Sequence, residues 1–94
     1  MSNYRGEAAA RRVAIVQAYA EPGTTMKMVA EVFEVTPERV RQILAFEYTR
    51  CRRWAGHPEW EPYAECPPKV AASRLVGAWS RQPDLRPDLR VATP

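Results

Sequence analysis

The chain has 94 residues and a formal net charge of +3 at pH 7, and 46% of its residues are hydrophobic. Such a chain forms one domain with a small core, and its mildly basic balance permits nucleic acid as a partner without requiring it. No apolar run has the length of a membrane span, and the residues after Met1 do not form the apolar core of a signal peptide. We therefore expect a cytoplasmic protein.

Two helices are predicted in the first third of the chain. Residues 7–20 place apolar side chains at helical spacing, and Pro22-Gly23 ends this helix. Thr24 or Thr25 can cap a second helix that runs to about Phe33 and has an apolar stripe along one side. Only residues 34 to 36 separate it from the next helix start, so we expect a very short turn there.

The third predicted helix begins with several consecutive residues that favour a helix N-terminus. Thr36 can act as the N-cap, and Pro37 fits the first helical position, where its missing N–H costs nothing. Glu38 places an anion against the positive end of the helix dipole. The helix continues until Gly56, which can close it, and Pro58 prevents its continuation.

One polar face of the third helix has the composition of a DNA-reading surface. The residues spaced by three and four positions on this face are Glu38, Arg41, Gln42 and Ala45. In the major groove, arginine pairs with guanine and glutamine with adenine. The same helix also holds several arginines, which a solvated charged face would also explain. Two short helices, a tight turn and a basic second helix predict a helix-turn-helix domain over residues 5–58.

The residues that carry a family resemblance lie between Thr25 and Arg53. They are Val35-Thr36, the string Glu38-Arg39-Val40-Arg41-Gln42-Ile43, Ala45, and the pair Arg52-Arg53. This segment resembles the C-terminal domain of primary bacterial sigma factors, which reads the −35 promoter element. The resemblance implies that Glu38, Arg41 and Gln42 face base edges, and that Thr36 and Arg39 lie near phosphates. Pro37 departs from the pattern, since those sigma factors often carry an arginine there.

We expect a sequence-specific protein that binds double-stranded DNA in bacterial or bacteriophage transcription regulation. The predicted base contacts are Glu38, Arg41, Gln42 and Ala45. The predicted DNA-backbone contacts are Lys27, Thr36, Arg39, Arg50, Arg52 and Arg53. Two alternatives stay open: a sigma-like module that binds RNA polymerase and modulates it, and a phage DNA-packaging or architectural protein.

Residues 59–81 are predicted to form an aromatic loop and an accessory helix. Trp54, Trp60 and Tyr63 either fold back onto the helices as a lid or form an exposed partner site. The helix, from about residue 69 to residue 81, has one apolar side, formed by Ala72, Leu75, Val76 and Trp79. This side can pack on the core or serve as a homodimer element, and the sequence does not rank the two.

The last segment, residues 82–94, is predicted to be an extended, flexible tail. It contains Pro83-Asp84-Leu85-Arg86 followed at once by Pro87-Asp88-Leu89-Arg90. Prolines at this spacing exclude regular helix and strand. The alternative interpretation is a linear peptide that docks on a partner through Leu85 and Leu89.

The sequence lacks the residue constellations of an enzyme or a metal site. His57 is the single histidine, and no glycine-rich phosphate loop is present. Cys51, Cys66 and His57 are too irregularly spaced for a zinc site, and we expect Cys51 to be a buried thiol without a disulfide. We therefore predict a non-enzyme without a cofactor. Its fold is all-α, with a three-helix helix-turn-helix core, a fourth helix and an extended tail.

Overall fold

The computed structural model describes residues 3–54 and 56–90, and every regular element in that part of the chain is helical. The main helices are α1 (Asn3–Ala20), α2 (Met26–Phe33), α3 (Pro37–Trp54) and α4 (Pro68–Arg81), and a short α5 (Pro87–Arg90) follows them. Single 3-10 turns lie at Tyr63–Glu65 and Pro83–Leu85. The all-α prediction is confirmed. Within residues 3–54 and 56–90, no helix has both the length and the apolar character that crossing a membrane requires.

The two helices of the central motif begin at the predicted caps. The Thr25 hydroxyl oxygen accepts from the Met28 backbone N–H at 3.1 Å, and it opens α2. The Thr36 hydroxyl oxygen accepts from the Arg39 N–H at 3.0 Å, and it opens α3 in the same way. Beyond the other end of α3, Gly56 takes a φ of +79°, a conformation that glycine adopts without steric cost.

The turn between α2 and α3 depends on one residue in the left-handed conformation. Glu34 has φ 58° and ψ 45°, and it is the only non-glycine residue with positive φ in the described part of the chain. The next residue, Val35, donates its N–H to the Ala30 carbonyl at 2.9 Å. This pair of features turns the chain within three residues, so α3 packs directly against α2.

Helix α4 completes the core by packing against α1 and α3. Its predicted apolar side lies inside the chain, with three residues buried and one partly buried: Ala72, Leu75, Trp79 and, partly, Val76. The structure therefore places this side in intramolecular packing. A homodimer through these four side chains would require them to leave the core.

A lysine at the start of α4 ties that helix to the end of α1. The Lys69 ammonium group donates to the carbonyl oxygens of Tyr19 at 2.5 Å and Glu21 at 2.7 Å, and to the Thr24 hydroxyl at 2.9 Å. It also lies 4.3 Å from the centre of the Tyr19 ring. Since an ammonium group has three donors, these oxygens satisfy all of them and fix the α1–α2 loop.

Residues 83–90 differ from the predicted extended tail. Pro83 and Pro87 each open a helical turn, because a proline in the first turn lacks an N–H that would have no partner there. Helix α5 packs against α1, and Leu85 packs against the core. The prolines thus start short helical turns here instead of excluding them. The side chain of Leu89 and residues 91–94 of the predicted tail lie outside the described residues.

Candidate nucleic-acid interface

Helix α3 has one side in the core and one side in solvent. Its buried residues repeat at helical spacing and are Val40, Ile43, Leu44, Glu47, Tyr48 and Cys51. The remaining positions of the helix therefore face outward. The residues that the sequence assigned to base contacts lie among these outward positions.

The four predicted base-contact residues share this outward side, and we call them the reading face: Glu38, Arg41, Gln42 and Ala45. The first three are exposed, and Ala45 is half-buried. Such a surface is narrow and polar, and its small alanine allows close approach to a partner. The structure thus brings together every residue that the sequence predicted to face bases.

Within the reading face, Glu38 and Arg41 form an ion pair. Arg41 donates from Nε to Glu38 Oε1 at 3.0 Å and from Nη2 to Oε2. The hydrogen bond from Arg41 holds the pKa of the Glu38 carboxyl below its ordinary value, and the same bond raises the pKa of Arg41. Because the carboxylate occupies one edge of the guanidinium, the opposite edge keeps N–H donors for another acceptor.

The predicted DNA-backbone contacts fall into two groups. The exposed group comprises Lys27, Thr36, Arg39 and Arg53. The other two residues, Arg50 and Arg52, are half-buried and already have partners within the protein. Arg52 donates from Nε to the Trp60 carbonyl at 2.5 Å, and Arg50 donates from Nη2 to Glu47 at 2.9 Å.

The carboxylate of Glu47 joins α3 to α1. It is 1% exposed, and each of its oxygens accepts from one arginine: Oε1 from Arg50 and Oε2 from Arg12, the latter at 3.0 Å. A buried carboxylate requires such pairing, since an unpaired buried charge is strongly destabilising. The Arg12 and Arg50 side chains remain 27% and 23% exposed, so part of each guanidinium stays in solvent beside α3.

Arg12 and Phe46 belong to the candidate site, although neither is among the contact residues that the sequence predicts. They line an open depression beside α3 together with three other residues, and we call it the arginine depression: Arg12, Arg39, Gln42, Ile43 and Phe46. Gln42 belongs to both this depression and the reading face. Phe46 is 58% exposed, and its position outside the apolar stripe of α3 was the available sequence signal. Arg12 had no local signal, because its partner lies 35 residues away.

The aromatic loop folds back onto the opposite flank of α3. Trp60 is buried, and its ring stacks on Tyr48 with 5.2 Å between centroids, while Tyr63 meets Tyr48 edge-on at 5.9 Å. The Tyr48 hydroxyl donates to the Glu61 carbonyl at 2.8 Å, and burial raises the pKa of this phenol. Of the two interpretations of the loop, the structure shows the lid for Trp60 and Tyr63.

Trp54 does not join the lid. It is 75% exposed, and the Arg53 guanidinium lies 5.8 Å from the centre of its ring. The physical reason is its position, because Trp54 is the last residue of α3 and follows Cys51, the last residue that the helix buries. The end of α3 therefore presents an exposed cation and an exposed aromatic ring side by side.

The cysteines are both buried free thiols. Burial raises the pKa of Cys51, as expected for a thiol held in apolar surroundings. The expectation of a buried Cys51 is confirmed. In the part of the chain that the structure describes, no group of three histidine, cysteine or acidic side chains is placed to hold a metal ion.

A second exposed surface lies on α2 and is apolar. Met28 is 49% and Val32 is 76% exposed, and we call these two residues the α2 apolar patch. They border a small, almost entirely apolar depression that Ala18 of α1 and Phe33 of α2 also line. Exposed apolar side chains that lie together offer a contact surface to a protein partner.

Comparisons of the chain with models of protein families, with curated proteins and with solved structures gave no match.

Proposed function

We propose that the protein binds double-stranded DNA sequence-specifically, with α3 lying in the major groove, and that it acts in transcription control. The observation that carries this proposal is the reading face, which stands on the outward side of a helix that follows a tight helix-helix turn. An α-helix fits the width of the major groove, where each base pair presents a distinct set of donors and acceptors.

The reading face supplies the chemistry for base recognition. The exposed Gln42 amide has both a donor and an acceptor, which match N7 and the N6 amino group of adenine. Arg41 keeps one guanidinium edge for a guanine while Glu38 holds the other edge. Ala45 has no polar group, and its small side chain lets the helix approach the base edges closely.

The flanks of α3 supply contacts to phosphates. We assign these contacts to the exposed group, Lys27, Thr36, Arg39 and Arg53, and add Arg12 from α1. The Thr36 hydroxyl oxygen caps α3, and its hydrogen remains able to donate to a phosphate oxygen. Each neutralised phosphate releases counterions, so these contacts make the affinity depend on salt without adding sequence preference.

The direct test is selection of a randomised duplex pool on the purified protein at moderate salt, followed by sequencing of the retained DNA. We expect one enriched motif, whose symmetry reports whether a monomer or a dimer binds. Enrichment of a motif similar to a −35 element would also support the resemblance to sigma factors.

Two variants make this test sharper because they remove the same charge at different places. Arg39→Ala removes an exposed arginine on α3, and Arg81→Ala removes an exposed arginine on α4 as the matched control. Under the proposal, Arg39→Ala weakens retention of all duplexes and Arg81→Ala does not. If the wild-type protein retains duplexes without enriching a motif, architectural binding is favoured. If it retains no duplex, DNA binding is refuted.

A second candidate function is binding to RNA polymerase as a sigma-like module, and the α2 apolar patch is the observation that favours it. The experiment is retention of purified bacterial RNA polymerase by the tagged protein without DNA. Val32→Glu, at the most exposed apolar side chain of the patch, should abolish retention. Arg81→Ala should leave it unchanged.

A further inference from the structure

We propose that Phe46 determines specificity by contacting the 5-methyl group of a thymine close to the adenine that Gln42 reads. This inference rests on the proposed function, because it assigns one more contact to the same DNA-binding surface. It adds an aromatic side chain to a surface whose other proposed base contacts are three polar or charged residues and a small alanine.

The exposure of Phe46 is the first observation. Phe46 and Tyr48 lie two positions apart on the same helix, yet Tyr48 is fully buried and Phe46 is 58% exposed. The ring of Phe46 therefore contributes little to the core. An exposed phenyl ring gains free energy when a partner covers it, since apolar surface is then removed from water.

The neighbours of Phe46 are the second observation. Phe46 lies one helical turn after Gln42, and both line the arginine depression with Arg12 and Arg39. Four residues advance about 6 Å along a helix, which is less than the rise of two base pairs at about 3.4 Å each. A base that contacts Phe46 is therefore expected within two base pairs of the adenine that contacts Gln42.

The chemistry of the groove identifies the partner. Thymine is the one base that presents a methyl group in the major groove, and apolar side chains recognise it there. Arg12 and Arg39 lie beside the ring and would hold phosphates of the adjacent strand. With the DNA backbone held by these arginines, the phenyl ring would face the edge of the major groove, where thymine methyl groups project.

The experiment uses the duplex enriched in the selection and replaces its thymines with deoxyuridine, one at a time. This exchange keeps base pairing and removes only the methyl group. For the wild type, we expect one replacement within two base pairs of the Gln42-dependent adenine to weaken binding about threefold to tenfold, the scale of one methyl group lost from an apolar contact.

Three variants assign that effect to Phe46. Phe46→Ala should bind the thymine and deoxyuridine duplexes equally well, whereas Phe46→Leu should keep a reduced preference for thymine. Gln42→Ala should lose its adenine preference and still distinguish thymine from deoxyuridine. Thermal unfolding of Phe46→Ala should match the wild type, because the ring is exposed.

Several outcomes would overturn this inference while leaving sequence-specific DNA binding intact. They are an enriched motif without a thymine near that adenine, equal binding of the wild type to all deoxyuridine duplexes, and a thymine preference that persists in Phe46→Ala. If no motif is enriched, the proposed function fails, and this inference fails with it. If Phe46→Ala instead loses retention of RNA polymerase, the ring belongs to a protein contact.

Discussion

The two sides of α3 carry the same kinds of residue and use them differently. On the outward side, Phe46 and Arg53 are exposed. On the side under the aromatic loop, Tyr48 is fully buried and Arg52 donates to the Trp60 carbonyl. The difference shows that residue type alone does not separate a side chain exposed to solvent from one that holds the fold together. The neighbours that each side chain meets in three dimensions decide between them.

The largest expected effect separates Phe46 from Tyr48, two of the three aromatic residues of α3. Tyr48→Ala should lower the free energy of unfolding by about 3–5 kcal/mol, because it removes a buried ring that the aromatic loop packs against. Phe46→Ala should change it by less than about 0.5 kcal/mol, as is usual for exposed positions. Urea unfolding followed by circular dichroism measures both. Equal losses in the two variants would mean that the sides of α3 are assigned wrongly.

The next effect concerns the proposed recognition of bases by the outward side. Gln42→Ala should cost about 1–3 kcal/mol of binding free energy on the selected duplex and relax the preference at one base position. Its unfolding should match that of the wild type, because Gln42 is exposed. Quantitative binding to duplexes carrying each base at that position tests the expectation. An unchanged base preference would show that the helix docks in another orientation.

Adjacent arginines provide a smaller and more direct comparison. Arg53→Ala should weaken binding to all sequences about equally and lower the slope of log affinity against log salt by about 1. Arg52→Ala should instead lower the free energy of unfolding by about 1 kcal/mol, since it removes a hydrogen bond to the Trp60 carbonyl. A salt titration of binding and a denaturant titration, made on both variants, test this assignment. If Arg52→Ala changed the salt dependence of binding and Arg53→Ala changed the stability, the roles of the two arginines would be reversed.

The smallest expected effect is a dependence of stability on pH through the aromatic loop. The hydrogen bond from Arg74 at 2.6 Å holds the pKa of Glu61 below its ordinary value of 4.5. A lowered folded-state pKa stabilises the protein above the ordinary pKa, and this contribution is lost as the pH falls through the folded-state value. Glu61→Gln should therefore lower the melting temperature slightly at pH 7 and by less at pH 2. A constant difference at both pH values would contradict this cause.

Local signals made much of the fold predictable from the sequence. The caps at Thr25 and Thr36 act within three residues of their partners, so the starts of α2 and α3 could be predicted. The apolar side of α4 was also visible as a helical repeat. Whether this side packs on the core or on another chain could not be predicted, because periodicity identifies an apolar side without identifying what covers it.

Long-range pairing limited what the sequence could indicate about the site. The charges of Arg50 and Arg52 suggested phosphate contacts, but the contact of Arg52 with the Trp60 carbonyl is recognised only in the folded chain. Arg50 pairs with Glu47 only three positions away, yet the burial of that carboxylate is not visible in the sequence. The role of Arg12 depends on the same buried carboxylate. The grouping of the reading-face residues on one side of α3 could be predicted because they are neighbours on one helix, and it needs no distant partner.

The contacts of Lys69 bear on the order in which the protein folds. They join residues that are 45 to 50 positions apart, so they form only after the chain has been synthesised beyond this lysine. Contacts of such long sequence separation form late and slow folding, because closing the intervening loop costs entropy. We expect a protein truncated before Pro67 to show no cooperative unfolding transition, even though it contains α1, α2 and α3 in full.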